Sequence, residues 1–275
     1  MNSSPPASIE SIAVEIGGVP IVFSGDDPRF HSMVEEHYDG FTCSADSANY
    51  ASAPLSFAVE LLEQGSLNVG QDVRVWKSGE CWHASRGDFR ADFSPGERQG
   101  RIRVQVNPYG LNSILRIVHT IYLANQHGFL LHAASAVRNG SAFVFSGLSG
   151  AGKTTISRCA PPDVTLLTDE ISCIRADADE FRAHGTPFAG ELAKLGKNIC
   201  APVSNLFFLE RGAKNQILPL EKAEAMRRLL RNILFFCEDA ELVDRVFDSA
   251  CKFLEAVPAY RLAFVPSEKV WELIY

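Results

Sequence analysis

Four residues near the middle of the chain have the types and spacing of a phosphate-binding loop. Gly147, Gly152, Lys153 and Thr154 match the pattern GxxxxGK[ST] within the stretch FSGLSGAGKTT. Glycines there allow successive backbone N–H groups to point at an anion, the lysine reaches the outer phosphates, and the hydroxyl can bind Mg²⁺. We therefore expect the loop to bind a nucleotide. Its expected binding residues are Gly147, Ser149, Gly150, Ala151, Gly152, Lys153, Thr154 and Thr155.

Two adjacent carboxylates follow this loop. Asp169 and Glu170 end the apolar segment VTLLTDE, sixteen residues after Lys153. A strand beside the loop would deliver both to the terminal phosphate. There, one could bind Mg²⁺ and the other could accept a proton from an attacking hydroxyl, which contributes typically about 10²–10⁴-fold. The alternative is a solvated strand end without chemistry.

A histidine precedes the loop. His132 lies in LLHAAS, fifteen residues before Gly147, and the next segment, SAFVFSG, predicts a hairpin that returns His132 toward the loop. A lone histidine on an apolar strand is more often a core residue, so spacing alone leaves its role open.

Two further segments carry polar groups of weaker pattern. The segment GTPFAGE places Thr186 and Glu191 each directly after a glycine, and such a loop could approach a nucleotide or substrate closely. A plain connecting turn is the alternative. The basic run RRLLR at residues 227–231 is explained by a solvated helix face, or by an arginine that binds phosphate.

Composition excludes several other classes of function. The chain has 275 residues, 46% of them apolar, and a formal charge of −7, so it lacks the clustered basic charge that nucleic-acid binding needs. No apolar run has the length that spans a membrane, and the N-terminus MNSSPPASIE does not resemble a leader, so we expect a cytoplasmic protein without membrane contact. Seven cysteines without a CxxC pair indicate neither a disulfide framework nor a zinc ribbon.

The elements that must position these residues form two parts. Residues 1–8 predict a disordered tail, and residues 9–107 predict a β-rich, mostly antiparallel module. Residues 108–275 predict the nucleotide-binding domain, which opens with a helix at about 110–127. Strand-like runs and two later helical patterns, at 221–237 and 241–257, complete an α/β fold that leans toward α+β.

The segments LLHAAS, SGLSGAGKTT, LLTDEIS and GTPFAGE, in this order and spacing, resemble the HPr kinase/phosphorylase family. The resemblance covers roughly residues 110–265. It implies a P-loop core of mixed sheet with flanking helices, shared with ATP-dependent phosphoenolpyruvate carboxykinases. It also implies transfer of the γ-phosphate of ATP, with Mg²⁺, to a serine hydroxyl of a peptide or small protein.

The resemblance also implies roles for individual residues. Lys153 and Thr154 would hold phosphates and metal, Asp169 would be the general base, and Glu170 a metal ligand or a support for the base. The implied metal ligands are thus Thr154, Glu170 and Asp169, and His132 would be a partner of the phosphate or of the base.

The sequence departs from that family at two points. HPr kinases carry Asp-Asp where this chain has Asp169-Glu170, and their Glu-Ile-Arg-Gly signature is not found here. The chain therefore looks more like a divergent branch that includes lasso-peptide precursor kinases, with the N-terminal module as a docking piece for substrate. A small-molecule kinase on the same core and a nucleotide-binding regulatory protein without catalysis stay open, as does assembly into a homo-oligomer.

Overall fold

The computed structural model of the chain divides it into two compact units. The first comprises residues 1–15 and 19–115, and the second comprises residues 16–18 and 116–275. The division falls within one helix, eight residues after the junction expected at 107/108. The predicted tail at residues 1–8 lies outside the described part of the chain. Described are residues 10–44, 53–63, 72–178, 180–192 and 196–275.

The first unit is built on one mixed sheet, whose strand order is β3-β1-β2-β4-β8-β7-β6-β5. Its strands are β1 (Ser11–Ile16), β2 (Val19–Ser24), β3 (Thr42–Cys43), β4 (Leu55–Leu61), β5 (Arg74–Ser78), β6 (Cys81–Arg86), β7 (Phe89–Ser94) and β8 (Gln99–Val104). Helix α1 (Pro28–His37) follows β2, with the side chain of Asp27 accepting a hydrogen bond from the Arg29 N–H as its cap.

Strand β4 is an exception to the mostly antiparallel pattern that the sequence predicts for this unit. It runs parallel to both of its neighbours, β2 and β8, while β5 pairs with β6, β6 with β7 and β7 with β8 in antiparallel fashion. Parallel neighbours need long connections, and the segments before and after β4 provide them. The core of this sheet includes the ring pair Phe57 and Phe93, with centroids 5.5 Å apart.

The second unit combines runs of consecutive strands with single and paired helices. Helix α2 (Pro108–Ala124) spans the division between the units. The remaining elements are β9 (Gly128–Arg138), β10 (Ser141–Ser146), α3 (Lys153–Arg158), β11 (Thr165–Thr168), β12 (Ile171–Asp177), β13 (Glu180–His184), β14 (Cys200–Arg211), β15 (Gln216–Pro219), α4 (Lys222–Leu230), α5 (Ala240–Ala256), β16 (Ala259–Phe264) and a 3₁₀ helix (Glu268–Leu273).

Two long strands organise the sheet of this unit. Strand β9 pairs with β12 through its first half and with β10 and β11 through its second half, while β14 pairs with β13, β10 and β16. Five strands therefore form a closed ring of pairings, in the order β9, β12, β13, β14, β10 and back to β9. Pairing of Ala133 with Ser146 ends the β9–β10 hairpin, so His132 lies one residue beyond that pair, where the glycine loop begins.

Apolar side chains pack on both sides of these strands. Phe129 and Phe253 of α5 meet edge to face with centroids 5.5 Å apart in one cluster. Phe145 contacts the ring of Trp271 at 5.3 Å in another, and the Trp271 indole N–H donates to the carbonyl of Ile156 in α3. The 3₁₀ helix thereby holds the short helix after the loop against the sheet.

The structure confirms the α/β class with mixed sheets and flanking helices. One helix is shorter than its pattern predicts: α4 ends at Leu230, although the apolar spacing continues to residue 237. The reason is that residues 232–234 bond to β9 instead, since the Asn232 carbonyl accepts from the His132 N–H at 2.7 Å and the Leu234 N–H donates to Leu130. In the described ranges, no helix combines the length and apolarity that crossing a membrane requires.

Candidate active site

The glycine loop connects β10 to α3 and has the backbone that its sequence predicts. Gly150 and Gly152 have φ angles of +77° and +111°, a region that favours glycine. A Cβ atom at Gly152 would lie 2.8 Å from the ring of Phe264, so space as well as conformation requires glycine there. The ring of Phe264, from β16, thus packs closely against the loop at Gly152.

Lys153 is buried beneath the loop. Only 8% of its surface is exposed, and its ammonium group donates to the carbonyl of Gly147 at 3.0 Å. Burial lowers the pKa of Lys153, while the charges of Glu170 and Glu191 raise it. The ammonium group therefore lies at the first half of the loop, with carboxylates near enough to affect its charge.

A cavity of about 440 Å³, which we call the phosphate cavity, opens beside Lys153. It brings together residues from five separate segments of the second unit. Its lining is His132, Ser149, Gly150, Gly152, Lys153, Thr154, Thr155, Asp169, Glu170, Gly190, Glu191 and Arg211. Gly147 and Ala151, also expected at the site, line a neighbouring cavity instead.

Asp169 enters the wall of the phosphate cavity from the end of β11. That strand pairs with β9 and not with β10, so β9 lies between the acidic pair and the strand before the loop. Asp169 is 4% exposed, and its two carboxylate oxygens accept hydrogen bonds from the backbone N–H groups of Gly190 at 2.8 Å and Leu192 at 3.0 Å. Asp169 therefore holds the loop after β13 in place.

Glu170 is the half-buried member of the acidic pair. Burial raises the pKa of Glu170, and the charge of Asp169 raises it further. Arg116 of α2 acts in the opposite direction, with its guanidinium nitrogen 3.4 Å from the carboxylate. Glu170 thus keeps its proton to a higher pH than an ordinary glutamate does.

His132 reaches the phosphate cavity from β9, with its backbone fixed on both sides. Its N–H donates to the carbonyl of Asn232, and its carbonyl accepts from the Ser146 hydroxyl at 3.1 Å. Burial lowers the pKa of His132, and the charges of Lys153 and Arg116 lower it further. The imidazole is therefore neutral at neutral pH. Its ring makes no hydrogen bond to any residue that the structure describes.

The GTPFAGE segment contributes Glu191 to the cavity but not Thr186. Thr186 is 1% exposed, and its hydroxyl donates to the carbonyl of Ile171 at 2.6 Å, so it holds the segment to β12. Gly185 allows a second close approach, to the backbone at Lys197, because a Cβ atom there would lie 1.9 Å from the Lys197 carbonyl oxygen. Glu191 is exposed and lines the cavity.

Sequence reasoning missed two arginines of the site. Arg116 pairs with Glu170 and also lies over the buried ring of Phe188, 5.1 Å from its centroid. Arg211, at the end of β14, lines the phosphate cavity. The pattern contained one indirect signal for Arg211, since it follows Glu210 at the end of the apolar run LFFL.

The side chains of the cavity fit a magnesium ion. The hydroxyl of Thr154 and the carboxylates of Asp169 and Glu170 are oxygen donors, which Mg²⁺ prefers. No three histidine, cysteine, aspartate or glutamate side chains among the described residues are grouped so that they could hold a metal ion by themselves.

A protein-family model matches the second part of the chain. The model of SynChlorMet cassette protein ScmC matches residues 107–275, more than half of the chain. The chain belongs to the ScmC family. The region that carries the ScmC match contains every residue that lines the phosphate cavity. The first unit lies almost wholly outside it.

Among solved structures, one similar to this ScmC-family chain is the Hpr(Ser) kinase/phosphatase from Coxiella burnetii. The two share 11% sequence identity, and the match covers 53% of this chain and 85% of that one with a TM-score of 0.27. The search of curated proteins finds no match.

Proposed function

We propose that this protein is a kinase that uses ATP and Mg²⁺ to phosphorylate a serine hydroxyl of a peptide or small protein. The observation that carries the proposal is the phosphate cavity, where a glycine loop with its buried Lys153 faces the carboxylates of Asp169 and Glu170. A nucleotide fold that only needed to bind phosphate would not require two carboxylates beside the lysine. Phosphoryl transfer uses such groups to hold metal and to accept a proton.

Binding of the nucleotide rests on the loop and on Lys153. The ammonium group now donates to the Gly147 carbonyl, and a phosphate oxygen is a stronger acceptor because it is charged. Thr154 and Glu170 are the proposed ligands of Mg²⁺, together with Asp169 through a free lone pair. When bound, Mg²⁺ would neutralise charge on the phosphate oxygens.

The acceptor hydroxyl supplies the attacking oxygen. It forms the new bond to the γ-phosphorus, the bond from that phosphorus to the bridging oxygen breaks, and ADP leaves with the electron pair. The hydroxyl proton passes to a carboxylate, which we assign to Asp169. Two backbone N–H groups orient that carboxylate, and each of its oxygens retains one lone pair for a further partner.

His132 and Glu170 support this step. A neutral His132 can donate its ring N–H to a phosphoryl oxygen without competing with Lys153 for the counter-charge. Arg116 holds Glu170 in its position by the contact at 3.4 Å. The peptide acceptor itself is proposed from the sequence resemblance to precursor-peptide kinases.

The test is transfer from γ-labelled ATP to a panel of serine peptides in the presence of Mg²⁺. We expect transfer by the wild type and a loss of about 10²–10⁴-fold in Asp169→Asn, which removes the proposed base. Asp244→Asn is the matched control, because Asp244 is exposed on α5 and lines neither cavity of the loop.

Two outcomes would replace this proposal. Stabilisation by ATP without any phosphorylated product would indicate a nucleotide-binding regulatory protein. Phosphorylation of small hydroxyl compounds with none on any peptide would indicate a small-molecule kinase on the same core.

A further inference from the structure

A second cavity, of about 420 Å³, adjoins the glycine loop; we call it the outer cavity. It lies between the loop, the end of β14 and helix α4 with the residues that follow it. Ser149, Gly150 and Arg211 line both the outer cavity and the phosphate cavity. A ligand in one is therefore within reach of a ligand in the other. Its volume falls in the usual range for small-ligand sites, roughly 300–1,000 Å³.

The position of the outer cavity along the loop indicates which substrate it would receive. Gly147 and Leu148, whose carbonyls the Lys153 ammonium contacts at 3.0 and 3.5 Å, line the outer cavity. Thr154 and Thr155 do not. In this loop type the lysine binds the outer phosphates. The outer cavity therefore lies next to the terminal phosphate of a bound nucleotide and not next to the end of the loop at Thr154 and Thr155. The substrate that must meet the terminal phosphate is the acceptor.

The charges of the outer cavity favour an anion. Its two carboxylates, Glu210 and Glu224, share Arg228, which contacts them at 2.7 and 2.8 Å. Each also has a second arginine partner outside the lining, Arg261 at 3.7 Å from Glu210 and Arg227 at 2.7 Å from Glu224. The guanidinium groups of Arg211 and Arg231 make no ion pair with any residue in the described ranges. The lining therefore has an excess of positive charge in the form that best matches a carboxylate.

Apolar groups complete the lining of the outer cavity. Phe208 and Leu209 of β14 contribute to it, and Leu148 of the loop is 64% exposed beside it. An acceptor that presents both an apolar surface and a carboxylate would thus cover the loop and satisfy the two arginines.

We propose that the outer cavity binds the phosphoryl acceptor, and that this acceptor carries a carboxylate next to its hydroxyl group. The inference rests on the proposed kinase function and specifies its substrate class. An aspartate or glutamate beside the acceptor serine of a peptide has this chemistry, and so does a free hydroxy acid. Arg231 is the residue proposed to select for the charge, because it lines the outer cavity and not the phosphate cavity.

Binding measurements test this proposal without requiring transfer. Three fluorescein-labelled peptides, EESEE, QQSQQ and KKSKK, are titrated with full-length protein in the presence of Mg²⁺ and the non-hydrolysable analogue adenylyl imidodiphosphate. We expect EESEE to bind at least roughly tenfold more tightly than KKSKK, and Arg231→Glu to reverse this order. Arg231→Lys should retain most of the preference. Arg158→Glu is the control, because Arg158 is exposed on nearby α3 and lines neither cavity.

The affinity for the nucleotide analogue is measured on the same variants and should be unchanged in Arg231→Glu, which also shows that this variant is folded. The proposal would be overturned if the three peptides bound equally, or if wild type and Arg231→Glu showed the same preference among them. The one exception is a result in which free L-serine competes with the labelled peptides and this competition depends on Arg231. That competition, without peptide discrimination, would identify a free hydroxy acid as the source of the carboxylate. Weaker nucleotide binding in Arg231→Glu would assign the outer cavity to the nucleotide and overturn the proposal.

Transfer from ATP to bound EESEE is scored separately. Charge-dependent binding without transfer would count against the kinase function and not against the acceptor site.

Discussion

The carboxylate of Asp169 accepts a hydrogen bond from the backbone N–H of Gly190 at 2.8 Å. This contact joins residues 21 positions apart and connects the end of β11 to the segment that carries Glu191. Asp169, which the sequence predicts as the catalytic base, therefore also holds the segment that carries Glu191. Loss of Asp169 should affect the shape of the site as well as its chemistry.

Asp169→Asn should lower stability even without a substrate. Its amide group can accept from only one of the two N–H donors of Gly190 and Leu192, which leaves the other without an acceptor. We expect the free energy of unfolding to fall by about 1–3 kcal/mol, measured by urea denaturation. Asp244→Asn, on the exposed face of α5, should leave it unchanged. Equal stability of Asp169→Asn and wild type would show that these hydrogen bonds do not hold the segment.

Lys153→Met should remove most of the stabilisation by nucleotide. The methionine keeps the length of the buried side chain but removes the ammonium group that contacts the loop carbonyls. In wild type, ATP·Mg²⁺ at 100 times its Kd should add about 2.7 kcal/mol of stability, and the variant should lose most of that gain. A thermal-shift titration measures this. Lys252→Met, on α5, is the control, and a retained shift in Lys153→Met would place the nucleotide elsewhere.

The stability of the protein should carry a pH dependence from Glu170. Because burial raises the folded-state pKa of Glu170 above its ordinary value of 4.5, the folded protein holds this proton more tightly than the unfolded chain does. The contribution of Glu170 to stability is therefore present below pH 4.5 and is lost as the pH rises through the raised pKa.

Comparison with Glu170→Gln isolates this effect, since glutamine does not titrate. The free energy of unfolding of Glu170→Gln minus that of wild type should increase from pH 4.5 upward, as measured by urea denaturation at several pH values. A difference that decreases over the same interval would mean that the contact with Arg116 outweighs burial.

The charge of Lys153 should be visible in the titration of His132. Burial and the nearby cations lower the pKa of His132 below its ordinary value of 6.5. Lys153→Met removes one of those cations, so the pKa of His132 should move back toward 6.5, as followed by NMR. His37 provides the reference, because burial alone lowers its pKa and it belongs to the other unit. A His132 titration that does not respond would place Lys153 too far away to act on it.

Gly185→Ala should disturb the Glu191 segment. The added Cβ atom would lie 1.9 Å from the carbonyl oxygen of Lys197, so the backbone must move at Gly185 or at Lys197. We expect a loss of stability of about 1–3 kcal/mol together with reduced phosphoryl transfer. Gly96→Ala is a matched control, since nothing lies within 4 Å of a Cβ atom there. An unaltered Gly185→Ala protein would show that the segment adapts freely.

Much of the site was predictable from local sequence. The loop between Gly147 and Thr154, the hairpin that brings His132 to it and helix α2 all depend on glycine conformations, turn residues and apolar spacing within short segments. The roles of the carboxylates were harder to predict from local sequence. Whether Asp169 is free or bound by backbone N–H groups depends on a loop 21 residues later, and no pattern at Asp169 contains that information.

The amino-acid sequence by itself determined the glycine loop, the acidic pair after it and the mixture of strands and helices, because each follows from residue types and conformational preferences over short segments. The tertiary structure alone decided which side chains share a cavity. The contact of Arg116 with Glu170 spans 54 residues, and Arg211 reaches the loop only because β14 runs parallel to β10. Such partners meet through strand pairing and core packing, which sum weak contacts over the whole unit, so short segments of sequence do not specify them.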